Sequence, residues 1–253
     1  MNQSYCSETS LSNSPLSNAH VAHNSCSSCG LHQLCLPMGL EESDMQRLDK
    51  IIGRRKVARD CHLYRIGDRF TALYAVRVGH FKTYRANLNG DRQVIGFQMN
   101  GELLGMDAIG TDQHQCDAIA LEDSEICEIP FARLEELFVE IPTLLRHYHR
   151  IMSQEITREQ SVIVLLGNMR AEQRIAAFLV NLSSRYFARG YSANRFLLRM
   201  TREDIGNYLG LTIESVSRLI TKLRKDGLLK VNNRELEVVD LPALKRLAAG
   251  TDQ

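Results

Sequence analysis

The first 25 residues contain no Lys, no Arg and no apolar run, so the basic and the hydrophobic segments of an export signal are both missing. No apolar stretch further along is long enough to span a bilayer. These absences set the expectation of a soluble, cytoplasmic protein with no membrane partner. Paired carboxylates, a Ser/His/Asp arrangement and a phosphate-binding glycine loop are also missing, which argues against an enzyme. Cysteine is present in an odd number, seven in 253 residues. In a reducing compartment that argues against a disulfide framework and for metal ligation by some of the seven.

The net charge of +1 hides an asymmetry. From Arg170 onward 15 Lys and Arg face 9 Asp and Glu, a net of +6, whereas the residues before it carry 16 against 21, a net of −5. A basic C-terminal third beside an acidic body predicts a polyanionic partner for one end of the chain.

Residues 1–25, rich in Ser and Asn with Glu8 as the one charged side chain, read as a disordered tail. A short amphipathic helix follows Pro37, with Leu40, Met45, Leu48, Ile51 and Ile52 near one face. Between Lys56 and Pro130 the pattern changes to short β-type runs at 62–65, 73–78, 80–84, 94–97 and 126–129. Gly67, Gly79, Gly90 and Gly101 punctuate them at near-even intervals. That spacing predicts an antiparallel sandwich or barrel, with a hairpin turn at Asn89-Gly90. The cluster-binding segment and β-domain together are expected over 26–141.

A long helix is expected over 142–169. Leu145, Met152, Glu159 and Leu166 fall at d positions and His149, Ile156 and Ile163 at a, a three-heptad seam through which the helix pairs with its copy in a homodimer. The alternative for this stripe is packing on the chain's own β-domain. Glu159 would meet its copy across a parallel dimer, and two partly desolvated carboxylates there oppose association.

The last part, 170–253, opens with an amphipathic helix over 171–188 and contains a helix-turn-helix from Thr201 to Gly227. Thr201-Arg-Glu-Asp204 has capping-box spacing. Gly210 supplies the bend, and Thr212 caps a second helix whose Val216, Leu219, Ile220 and Leu223 face inward. Ile213, Glu214, Ser217 and Arg218 face outward near its N-terminus, the part a recognition helix places in the major groove. Arg218 can fork onto guanine, Glu214 can accept from cytosine N4, and Ser217 is small enough for close approach. Lys222, Arg224 and Lys225 continue toward the phosphates of double-stranded DNA. Residues 229–231 and 236–239 flank Asn232-Asn233 as a wing hairpin.

Cys26-Ser-Ser-Cys29-Gly-Leu-His-Gln-Leu-Cys35 gathers three thiols in a C-x2-C-x5-C segment. Structural zinc and cubane iron–sulfur clusters are both commonly held by four thiolates, so a fourth ligand is needed. Cys127 on the last β-run is the best placed, though spacing alone leaves Cys6, Cys61 and Cys116 open. His32 is expected to be a solvated loop side chain. A Cys-x-x-Cys redox enzyme would place that motif after a strand in a βαβ unit, whereas here it follows a Ser-rich tail.

The segment 26–35 with Leu36-Pro37, Gly96-Phe97, Asp107-Ala-Ile-Gly110, Cys127-Glu-Ile-Pro-Phe131, Asp204-Ile-Gly-Asn-Tyr-Leu-Gly-Leu211 and Glu214-x-x-Ser217-Arg218 together resemble the Fnr branch of the Crp/Fnr regulators. The likeness covers nearly all of the chain after residue 25. It implies an α+β fold: an N-terminal antiparallel β-roll (a cyclic-nucleotide-binding-like jelly roll), a long dimerisation helix and a C-terminal winged helix-turn-helix. It also implies an oxygen sensor in which Cys26, Cys29, Cys35 and Cys127 hold a [4Fe–4S] cluster that stabilises the DNA-binding dimer. Glu214, Ser217 and Arg218 would then read TTGAT-like half-sites of a palindrome, with RNA polymerase as a further partner. Cys6, Cys61 and Cys116 match no ligand position and are left as incidental thiols. The alternative keeps DNA binding but gives the four cysteines a structural zinc. Cyclic-nucleotide-binding members carry an Arg-Ser or Arg-Thr pair after the Gly-Glu-Leu segment. Here Gly101-Glu-Leu-Leu-Gly105 is followed by Thr111-Asp-Gln-His-Gln-Cys-Asp117 with no Arg, so no cyclic nucleotide is expected.

Overall fold

A computed structural model describes residues 25–86 and 92–251. The tail before residue 25 and the Asn89-Gly90 turn lie outside the described residues. The strands are β1 (Gly53–Val57), β2 (His62–Tyr64), β3 (Ala72–Val78), β4 (His80–Ala86), β5 (Arg92–Met99), β6 (Leu103–Leu104), β7 (Asp117–Ala120), β8 (Ser124–Pro130), β9 (Arg195–Leu197), β10 (Leu229–Asn232) and β11 (Glu235–Val238). The helices are α1 (Glu42–Asp49), α2 (Phe131–Glu140), α3 (Pro142–Asn168), α4 (Ala171–Ala188), α5 (Arg202–Leu209), α6 (Ile213–Lys225) and α7 (Leu241–Ala249). None is long and apolar enough to cross a membrane. Internal contacts divide the chain into two units, 1–81 with 98–147 and 82–97 with 148–253.

The first unit is built on a sheet in the order β1-β8-β3-β6, and a second four-stranded sheet has the order β2-β7-β4-β5. The pairings β1–β8, β3–β8, β3–β6 and β2–β7 are antiparallel. Side chains alternate across a strand. On β8, Ile126 is therefore fully buried in the β-roll core with Val76, Phe81 and Ala118, while Cys127 points to the other face. The segment 26–40 and α1 cover that other face, with Leu36 and Leu48 fully buried.

In the second unit the expected helix-turn-helix forms. Thr201 caps α5 and receives the Asp204 amide, while the Asp204 carboxylate accepts from the Thr201 amide at 3.0 Å. Gly210 ends α5 at φ +64°, a left-handed conformation that glycine adopts without strain. Gly206 is required for a different reason: a Cβ there would lie 2.7 Å from the Leu211 carbonyl oxygen. Arg174 of α4 donates to the carbonyls of Leu166, Met169 and Leu209 at 2.8–3.0 Å, fastening the C-terminal ends of α3 and α5. β10 and β11 pair antiparallel as the expected wing, and β9 adds a third strand beside β11.

Candidate functional site

Two candidate sites stand out, one in each unit. In the first, Cys26, Cys29, Cys35 and Cys127 line one pocket of about 410 Å³, counting the part open to solvent. The segment 26–35 supplies three thiols through a 3-10 turn at Cys26–Ser28 and the turns that follow it. β8 supplies the fourth, and period-2 alternation puts Ala75 and Arg77 of β3 on the same wall as Cys127 and Ile129. Of the cysteines that spacing left open, Cys116 is buried in the β-roll core, with its thiol 3.5 Å from Asp107. Cys61 packs against that same core and is disulfide-bonded rather than an incidental free thiol. Cys6 lies outside the described residues.

Burial pushes the Cys26 and Cys35 thiols up to about 12, and the neighbouring Asp49 adds to the shift at Cys26. Burial also raises Cys127, against the opposing pull of Arg54 and Arg77. Arg54 is the cross-strand partner of Cys127, and Arg77 is held by Glu125 at 2.5 Å. His32 is a half-buried part of the pocket wall rather than a fully solvated side chain, its Nδ1 2.8 Å from the Cys29 carbonyl. Two contributors went unnoticed in the sequence. Arg77 is an ordinary strand residue until β3 is placed beside Cys127. His147, on α3, is buried and lies 3.1 Å from the Cys35 carbonyl through Nε2.

The stretch from Gly105 to Asp117, which lacks an Arg, carries a buried histidine. His114 is 1% exposed and stacks on Tyr64 at 3.7 Å between ring centroids. The Asp107 carboxylate lies 3.7 Å from the His114 ring and accepts from the Gln115 amide at 2.7 Å. Burial alone would raise Asp107, but these partners outweigh it and hold the carboxyl below its usual range. Asp107 is thus an ionised acid within this stretch.

The second site is the outer face of α6. Val216, Ile220 and Leu223 are buried, while Leu219, expected inward, is half-buried. Ile213, Glu214 and Arg218 are exposed and Ser217 is half-exposed. Thr212 caps the helix by accepting from the Ser215 amide. Arg218 reaches the Ser215 hydroxyl at 3.4 Å. Lys222 is paired with Glu172 of α4 at 2.8 Å, so it must exchange that carboxylate for a phosphate to meet DNA.

Asp204 serves twice, accepting from Thr201 and also pairing with Lys82 of β4 at 2.5 Å. Burial would raise its pKa, but Lys82 and Thr201 together keep it below the usual carboxylate range. A carboxyl with a depressed folded pKa contributes stability above its unfolded pKa of about 4 and loses it as pH falls through the folded value. The full chain should therefore lose thermal stability as pH falls below about 4, whereas Asp204→Asn starts lower and declines less over that range. Parallel melting curves for the two proteins would show that Asp204 has no such role.

The outward seam of α3 contains Ile156 (52% exposed) and Ile163 (70% exposed), with His149 and Glu159 exposed as well. Leu145, Met152 and Leu166 are half-buried, and the helix's own packing is carried by Leu144, Tyr148 and Leu165.

Comparison with known proteins gives the same outline. Residues 173–247 match the Crp-like helix-turn-helix domain, and residues 54–140 match the cyclic nucleotide-binding domain. The chain is 44% identical over 227 residues to the fumarate and nitrate reduction regulatory protein of Escherichia coli K12, covering 89% of this chain and 91% of that one. It is 46% identical over 227 residues to the anaerobic regulatory protein of Pasteurella multocida, covering 89% and 83%. Among solved structures, FixK2 of Bradyrhizobium japonicum superposes with a TM-score of 0.72 at 26% identity, over 78% of this chain and 97% of that one.

Proposed function

The chain belongs to the Crp/Fnr family as a DNA-binding transcription regulator of the Fnr type, not an enzyme, and on that premise we propose that it is an oxygen-responsive switch. Holding a [4Fe–4S] cluster on Cys26, Cys29, Cys35 and Cys127, it binds palindromic TTGAT-like DNA as a cytoplasmic homodimer. In that form it controls anaerobic genes together with RNA polymerase. The observation that carries this reading is the convergence of those four thiols on one pocket.

The donors suit a cluster better than a lone zinc ion. One tetrahedral zinc draws its thiolates to about 2.3 Å from a single centre. Among the described residues, no three Cys, His, Asp or Glu side chains are gathered closely enough to share one ion. A cubane needs a wider frame, since each thiolate meets a different corner, and the pocket has room for a group of several atoms. When bound, such a cluster supplies an oxygen-sensitive centre whose integrity depends on its four thiolates.

The chain's own residues do the rest. Arg54 and Arg77 place positive charge beside Cys127, offsetting the charge of gathered thiolates. Buried His114 stacks on Tyr64 beside an ionised Asp107, and the negative charge there would repel an anionic ligand, which supports a switch that does not use cyclic nucleotides. Exposed Ile156 and Ile163 on α3 give a second copy an apolar seam to cover. Outward-facing Glu214, Ser217 and Arg218 supply the base-reading set, with Thr212 and Lys222 at its edge.

Protein purified without oxygen should be brown, contain about four iron and about four sulfide per chain, and bleach in air. Cys127→Ser should reduce iron to background, whereas Cys116→Ser, altered in the β-roll core, should retain it. A colourless protein carrying about one zinc per chain would end the cluster reading.

A further inference from the structure

The backbone of Cys35 is tied to a distant element, the helix α3. Its carbonyl oxygen accepts from the Met38 amide at 3.1 Å and from His147 Nε2 at 3.1 Å. The first bond is local and closes a turn. The second spans 112 residues of chain and comes from a buried side chain on α3. Since a carbonyl oxygen can only accept, Nε2 must carry the hydrogen. Leu144, one turn earlier on the same face of α3, is fully buried, so this end of the helix is anchored.

We propose that His147 is a positioning residue for Cys35 and, through that hydrogen bond, the link by which filling of the four-thiol pocket is transmitted to α3. The inference rests on reading the pocket as the cluster site. The Cys35 thiol and carbonyl share one Cα, so an adjustment of the side chain on ligation shifts the acceptor that His147 holds. Leu36, the next residue, is fully buried, so the loop cannot absorb the shift by swinging outward, and close-packed interiors pass displacement on. The receiving element runs unbroken from Pro142 to Asn168. Met152 lies about one turn beyond His147, and Ile163 about four turns beyond it. The bond therefore joins a pocket ligand to the same rod that carries the exposed seam. Sequence spacing could not show this, because nothing in His147 itself marks it among the two histidines and three arginines of that helix.

The test compares full-length wild type, His147→Gln, which keeps a side-chain donor, and His147→Leu, which removes it. In metal-free protein, hydrogen exchange should quicken in His147→Leu both over 31–40 and over the first two turns of α3. His147→Gln should stay near wild type in both. Faster exchange in only one segment, or in neither, overturns the link without reference to any cluster. In protein loaded without oxygen, the readout is the ratio of dimer association constants with and without the cluster, measured by sedimentation. Loss of one hydrogen bond should shrink that ratio by about tenfold in His147→Leu and leave it largely intact in His147→Gln. An unchanged ratio in His147→Leu overturns the proposal. So does failure of His147→Leu to load while His147→Gln loads, because His147 would then only prop the loop. If wild type itself takes up no iron, the cluster reading fails, and the exchange result still decides whether His147 couples loop to helix.

Discussion

Replacing Arg218 with Ala should weaken binding to a palindrome of two TTGAT-like half-sites by about 30-fold to about 10⁴-fold, because each bidentate guanine contact is worth about 1–3 kcal/mol and a dimer makes two. The guanidinium is exposed and meets the Ser215 hydroxyl through a long 3.4 Å contact, so little must be broken before it reaches a base edge. Its neighbour is prepared in a complementary way. Hydrogen bonds to its own backbone amide and to the Thr212 hydroxyl hold Glu214 below the usual carboxylate range. It therefore meets DNA as an ionised acceptor, suited to cytosine N4. Arg218→Lys should recover little, since an ammonium lacks the planar fork that matches guanine O6 and N7. The decisive measurement is affinity at fixed salt for the palindrome and for a scrambled duplex. Arg218→Ala should lose much more on the palindrome, and a guanine-to-adenine change in the half-site should cost wild type far more than the variant. Equal losses on both duplexes would reduce Arg218 to a phosphate contact.

Where function rests on local rules, the sequence was readable to the residue. The capping box at Thr201 and Asp204, the bend at Gly210 and the outward set on α6 depend on spacing within one or two helical turns, and they form as expected. The wing was legible for the same reason, although β9, its third strand, was not. β1 was missed because Gly-Arg-Arg-Lys-Val is an exposed edge with little alternation to detect. α2 was missed because it begins at Phe131 directly after the strand β8, with no polar segment between them. At the thiol site, spacing supplied three candidate ligands and left the fourth open. Only the sheet places Cys127 on the covered face and Cys116 in the core. Arg77, His114 and His147 lay beyond reach because their contacts are with residues distant in the chain, which residue type does not encode.

Replacing Glu159 with Leu should convert the cluster-free protein from monomer to dimer in air, with association tightened by more than about 100-fold. Burying one leucine from each copy contributes about 1.5–3 kcal/mol per side chain, and a carboxylate pair is removed at the same time. Glu159 lies on the exposed side of α3 between Ile156 and Ile163. Partial burial, with Glu155 nearby, raises its pKa against the pull of Arg158. Arg158 sits 2.5 Å from Glu155, so its charge is shared with a second carboxylate rather than devoted to neutralising Glu159. Bringing two such carboxylates together across a seam raises their pKa further, so each favours its protonated form in the dimer. Association then takes up protons. Wild-type dimerisation should strengthen as pH falls from neutral toward the ordinary glutamate value of about 4.3. Glu159→Gln removes the charge without adding an apolar side chain. It should tighten association by about tenfold at neutral pH and abolish the pH dependence. Sedimentation of the three proteins in air separates the contributions: a monomeric Glu159→Leu would place the barrier to pairing elsewhere on α3. A Glu159→Gln that still tightens with falling pH would assign the titration to another group.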